Sequence, residues 1–263
     1  MKIIQTILTK NDCYKTNRTI KVKGLMLHSV GCSQPSATVF VNSWNRSGIA
    51  ACVHAFIDAN NGTVYQTLPW NHRGWHGGGK SNNTHIGVEM CEPSTIKYSG
   101  GATFKDTDPV ATKKAVLRTY NAAVELFAYL CKEYDLNPLT DIVSHREGHA
   151  LGIATNHGDP EHLWSKFGLT MDGFRKAVKA QMGQGNVVTP PKTESAVTGD
   201  SVASYRVRVT DPALNIRAGA GTNHKIVGCI RDKGVYTIVE EDGSWGKLKS
   251  GAGWIHLGYT KKV

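Results

Sequence analysis

Between Gly183 and Ser204 the chain reads GQGNVVTPPKTESAVTGDSVAS, rich in Gly, Pro, Ser and Thr and without helical or strand periodicity. That is the composition of a linker, and Pro190-Pro191 stiffens part of it. The stretch divides the 263 residues into a domain over 1–182, a linker over 183–204 and a small domain over 205–263. Each part must therefore build a core of its own.

The larger part mixes strand and helix signals. GLMLHSV (24–30), HAFIDA (54–59), TVYQTL (63–68), HIGVEM (85–90) and DIVSH (141–145) are short apolar or β-branched runs between turn residues, which read as strands. The N-terminal run MKIIQTILTK reads as a further strand, because polar residues interrupt it and no small-residue cleavage site follows, so it lacks the pattern of a secretory signal. Asp58 to Gly62 is a hairpin-type turn in which Gly62 supplies the positive φ. From Asp108-Pro109, the residues Val116, Tyr120, Ala123, Val124, Phe127, Leu130 and Cys131 recur at three and four positions. That spacing predicts an amphipathic helix with Asp108 as N-cap and Pro109 as its first residue. Further helices are expected over Thr170 to Met182 and around Ala37 to Ser47. The expected fold class is α/β, a sheet with helices against it.

The last part contains only strand-length pieces, among them YRVRVT, LNIRAGAG, VYTIVEE and GWIHLGY, separated by turns rich in Gly and Asp. Short strands at close spacing without a helix imply a small all-β barrel. A unit of this size usually binds rather than catalyses.

Composition narrows the class. No apolar run approaches the roughly 18 residues of a membrane span, so an integral membrane protein is not expected. The six cysteines lack CxxC pairing and read as free thiols. The net charge of +10 points to an anionic partner. Nucleic acid is not expected, because the basic residues are unclustered and no recognised motif accompanies them.

Candidate chemistry concentrates in SHREGHALGIATNHGDPEH (144–162), which holds four histidines and several carboxylates. His28 and His145 both stand near strand ends, where sheet proteins place reacting groups. A zinc site open to substrate takes three protein ligands such as imidazole and carboxylate. HREGH places His145 and His149 four apart as in a zincin helix, but Gly148 and the following Ala-Leu-Gly argue against a helix there. Asp159, between Gly158 and Pro160, is the competing carboxylate, whereas Glu147 and Glu161 read as solvent-facing.

LMLHSVG (25–31), NGTVYQ (61–66), WHGGG (75–79), HIGVEMCE (85–92) and IVSHREGHALGIATNHGDPEHLW (142–164) together resemble the type 2 N-acetylmuramoyl-L-alanine amidases. Their zinc amidase fold, a mixed central sheet flanked by helices, is shared with peptidoglycan recognition proteins and many phage endolysins. The resemblance implies zinc held by His28, His145 and Asp159, with Glu89 as base. Where the family often has lysine, two residues before the last ligand, this chain has His157, which would serve as the oxyanion contact. Trp75 and His76 would line the sugar-peptide groove, or else form a packed tryptophan and a turn.

The last sixty residues resemble bacterial SH3-like domains of cell-wall hydrolases, through LNIRAGAG and the later WGKLKSGAGWIHLGY. The resemblance implies a cell-wall-binding unit, with bacterial peptidoglycan as partner and anionic wall polymers as a second. The expectation is a phage or prophage endolysin, made in the host cytoplasm and reaching the wall after holin-type release. A non-catalytic recognition protein on the same fold is the alternative.

Overall fold

The computed structural model describes residues 1–183 and 205–263, apart from 223, 243 and 251. The chain splits into two compact units, one within Met1–Glu194 and one within Ser195–Val263. Of the linker expected over 183–204, Gly183 ends a helix and the remainder lies outside the described residues.

The first unit runs β1 (Ile3–Gln5), α1 (Asp12–Lys15), β2 (Gly24–Ser29), α2 (Ala37–Trp44), β3 (Ala55–Ile57), β4 (Val64–Gln66), β5 (His85–Met90), β6 (Ile96–Gly100), β7 (Thr103–Asp106), α3 (Pro109–Glu133), β8 (Ile142–Ser144), α4 (His145–Ala150), α5 (Glu161–Trp164) and α6 (Met171–Gly183). Six strands form one sheet in the order β1-β4-β3-β5-β2-β8. It is mixed: β3 and β4 are antiparallel across the turn at Gly62, whose φ is 76°, and the other pairs are parallel. Every residue of β2 is buried, as expected of a strand covered on both faces.

Alternation along the strands decides what each face carries. Leu25 and Leu27 of β2 and Ile86, Val88 and Met90 of β5 face the main core with Val116, Ala123, Phe127 and Leu130 of α3 and Phe174 and Val178 of α6. His28 and Glu89 therefore point to the other face, and the register sets them side by side, His28 opposite Glu89. The caps of the long helices agree with their sequences. The Asp108 carboxylate accepts from the Ala111 N–H at 3.0 Å, and the Thr170 hydroxyl accepts from the Gly173 N–H at 3.1 Å.

The second unit is an antiparallel sheet of β9 (Tyr205–Val209), β10 (Leu214–Arg217), β11 (Ile226–Ile230), β12 (Val235–Asp242), β13 (Trp245–Leu248), β14 (Trp254–His256) and β15 (Thr260–Lys262). It closes over a core of its own that includes Val207, Leu214, Ile238, Leu248 and Ile255. Among the described residues no helix is long and apolar enough to cross a membrane. All six cysteines are free.

Candidate metal centre

His28 is the fifth residue of β2, and His145 is the first residue of α4, directly after β8, which pairs with β2. That helix corrects the sequence expectation against one. Ser144 and Glu147 form a capping box: the Ser144 hydroxyl accepts from the Glu147 N–H at 3.0 Å and the Glu147 carboxylate accepts from the Ser144 N–H at 3.1 Å. Gly148 is there for packing, because a Cβ on it would lie 2.6 Å from Met26 Cε. Glu147 is also clamped by Arg175 at 2.8 and 3.0 Å, and Glu161 accepts from the Ser144 hydroxyl at 2.6 Å. Neither glutamate is the free solvent-facing group expected from sequence.

Ser144 thus holds both the helix start that aims His145 and the Glu161 carboxylate. Ser144→Ala is expected to cost about 1–3 kcal/mol, a lost cap plus a stranded acceptor, read as a lower urea midpoint at unchanged slope. An unchanged midpoint would remove Ser144 from this role.

The two histidines and Asp159 converge. His28 Nδ1 lies 3.0 Å from His145 Nδ1 and 3.3 Å from Asp159 Oδ2, and His145 Nδ1 lies 3.6 Å from Asp159 Oδ1. Among the described residues His28, His145 and Asp159 form a group that could hold a metal ion, with one ligand atom each and all within 4.8 Å of one another. Burial is the largest influence on His28 and lowers its pKa, which favours the neutral imidazole. Burial opposes ionisation of Asp159, but the neighbouring His145 and His28 outweigh it and hold the carboxyl well below its usual range. Two imidazoles and an ionised carboxylate match the three protein ligands of a zinc site whose fourth position stays open.

That open side faces a cavity of about 510 Å³ lined by His76, Glu89, Tyr98, His145, His157, Asp159 and His162, among others. Glu89 Oε2 is buried there without a hydrogen-bond partner. Burial first, then the charges of Asp159 and Glu92, push the Glu89 carboxyl well above its ordinary value of 4.5. His157 is exposed at the rim, its Nδ1 3.1 Å from His145 Nε2 and 3.2 Å from Thr155 Oγ1. An Nδ1 that accepts there leaves Nε2–H as a donor.

Of the two groove candidates, His76 lines the cavity. Trp75 does not join it: its backbone bridges Cys52, and its ring packs beside Leu8, Cys13, Cys52 and Leu68. His149 is exposed, its nearest contact the Ala154 carbonyl at 3.4 Å, and it stands outside the metal group. Burial pushes the His54 pKa down to about 4, and its ring is committed to the His72 carbonyl and the Gly87 N–H.

The hairpin β6–β7, with Tyr98, lines the cavity wall and was not foreseen. The Tyr98 hydroxyl donates to Glu92 at 2.7 Å and stands 2.6 Å from His162 Nε2. Ile96, Tyr98 and Phe104 alternating about Gly100 and Gly101 are the signal that could have found it.

Residues 18–162 match the family model for N-acetylmuramoyl-L-alanine amidase, which is more than half of the chain. The chain belongs to this family. Residues 212–261 match the model for the bacterial SH3 domain. A curated relative, YrvJ of Bacillus subtilis (strain 168), provisionally named an N-acetylmuramoyl-L-alanine amidase, is 31% identical over 71 residues. That match covers 26% of this chain and only 14% of the relative.

Among solved structures, the PlyG catalytic domain gives a TM-score of 0.51 at 18% identity, covering 72% of this chain and 100% of that one. The Staphylococcus aureus hydrolase AmiA, solved in complex with its ligand, gives 0.50 at 18% identity, covering 69% and 82%. At such identities the likeness is one of fold.

Proposed function

We propose that this amidase-family chain hydrolyses the amide between N-acetylmuramic acid and L-alanine in bacterial peptidoglycan, with zinc held by His28, His145 and Asp159. One observation carries the reading: a zinc donor set opens onto a cavity into which an unpartnered carboxylate, Glu89, also projects. A recognition protein that only bound the wall would have no use for that buried, unpaired acid.

Bound zinc would lower the pKa of water toward about 7 and polarise the scissile carbonyl. Glu89 takes the proton of the attacking water and returns one to the alanine nitrogen as it leaves. Its raised affinity for protons, the result of burial and of the nearby Asp159 and Glu92 charges, suits it to hold the proton between the two transfers. The His157 Nε2–H donates to the charge developing on the carbonyl oxygen, a contact worth about 3–4 kcal/mol in other enzymes. Asp159, ionised and within reach of both imidazoles, supplies the negative charge that would offset a divalent cation.

The second unit would hold the enzyme to the wall, with the net positive charge favouring anionic wall polymers. The finer reading is a phage or prophage endolysin that is made in the host cytoplasm and meets the wall after holin-type release. It rests on the sequence resemblance.

The test is digestion of purified Gram-positive peptidoglycan, followed by mass analysis of the products. Stem peptides with a free L-alanine amine are expected, absent after chelation and restored by zinc. Wall binding without cleavage would replace the reading with a recognition protein. Expression inside a Gram-positive host is expected to lyse cells only when a pore-forming holin is co-expressed, and lysis without one would remove the release step.

A further inference from the structure

Both candidate ligand imidazoles use Nδ1 toward the metal position, so each must carry its proton on Nε2. Which nitrogen of a histidine is protonated follows from the partner of the other. For His28 the chain of partners ends on a backbone carbonyl, which can only accept. His76 Nε2 lies 3.1 Å from the His85 carbonyl oxygen and must donate to it. His76 Nδ1 is then a bare acceptor, and it lies 3.0 Å from His28 Nε2. His28 Nε2 therefore holds the proton and His28 Nδ1 presents its lone pair.

The chain to His145 ends one residue further along the same loop. The Gly77 carbonyl accepts from the Thr155 N–H at 2.9 Å and from the Thr155 hydroxyl at 3.3 Å. With its hydrogen so committed, Thr155 Oγ1 accepts from His145 Nε2 at 3.2 Å. His157 Nδ1 lies 3.1 Å from the same nitrogen and accepts from it in the tautomer that leaves the His157 Nε2–H free as a donor.

We propose that His76 and the Gly77 carbonyl form one outer brace that fixes the tautomers of both metal-facing histidines. The proposal rests on the metal reading above and treats His76 as a positioning residue rather than a groove residue. The glycines around the loop make room for it. A Cβ on Gly87 would meet His76 Cγ at 2.4 Å, and one on Gly74 would meet His76 Cδ2 at 2.7 Å, so the ring sits in a slot that only glycine leaves open. A Cβ on Gly78 would meet Thr155 Cγ2 at 2.5 Å, and there the φ of +65° favours glycine as well.

The test measures zinc affinity of the full chain by competition with a chromophoric chelator. His76→Leu is expected to weaken binding about 10–100-fold, the usual effect of losing an outer partner. His76→Asn, whose side-chain oxygen can stand in for Nδ1, should recover most of that loss. Gly87→Ala, which keeps every hydrogen-bonding group but blocks the slot, should weaken binding as His76→Leu does.

Nitrogen-15 correlation spectra of the wild-type imidazoles should show His28 and His145 protonated on Nε2. Unchanged affinity in His76→Leu, or His28 protonated on Nδ1 in the wild type, would overturn the brace; the spectrum decides even where the variants fail to fold. A wild-type chain that binds no zinc would instead overturn the metal reading. Cleavage of peptidoglycan is scored separately and bears on neither outcome.

Discussion

Glu89→Gln is expected to lower peptidoglycan turnover by about 10²–10⁴-fold while zinc binding persists, because the variant keeps the shape of the side chain and loses only its ability to take a proton. Glu89 stands beside His28 across the β2–β5 pair and ends in an oxygen without a partner. The same change should stabilise the chelator-stripped protein. Burial holds the folded-state pKa of Glu89 above its ordinary 4.5, so the folded state keeps a proton that the unfolded chain releases. Stability from this group is then fully present below 4.5 and is lost as pH rises toward the folded pKa. Glutamine has no such slope, so the gap between variant and wild type in urea midpoint should widen from acidic to alkaline pH. Full turnover in the variant would take Glu89 out of the chemistry, and a gap that narrows with pH would reverse the sign of its burial effect.

The elements around this site differ in how far the sequence exposed them. Apolar runs between turn residues located β2, β5 and β8, because such runs are a local property. The face shared by His28 and Glu89 follows instead from the register of β2 with β5. The convergence of His28 with His145 spans 117 positions, and no local pattern encodes such a distance. The family resemblance supplied that contact, and the strand register explains it. The start of α4 was misread for a physical reason: Gly148 is a poor helix former, but the Ser144–Glu147 capping box and the need for space beside Met26 override its propensity.

Histidine chemistry shows the same limit at closer range. His76, His145 and His149 look alike in sequence, yet one ring is wedged between glycines, one faces the metal position and one is exposed. Only the identity of the atom opposite each nitrogen separates them. The alternation of Ile96, Tyr98 and Phe104 was legible, but nothing local announced that their hairpin would wall the cavity.

The pair Asp159→Ala and His149→Ala separates the two metal readings of this stretch. Asp159 is the anionic member of the group, and its oxygens reach both imidazole Nδ1 atoms, at 3.3 and 3.6 Å. Alanine there leaves two neutral nitrogens with no charge to offset a divalent cation. The loss of zinc affinity should exceed the roughly 10–100-fold typical of removing an outer partner, and amidase activity should fall with it. Asp159→Asn keeps an oxygen but not the charge, and should fall between alanine and wild type. His149 lies four residues from His145 on α4, the spacing of a helical zinc motif, but its exposed ring is held only by a 3.4 Å contact to the Ala154 carbonyl. His149→Ala should therefore keep both metal and activity. If zinc followed His149 and ignored Asp159, the ion would belong on the outer face of α4, and Glu89, which opens into the cavity beside Asp159, would have no metal to serve.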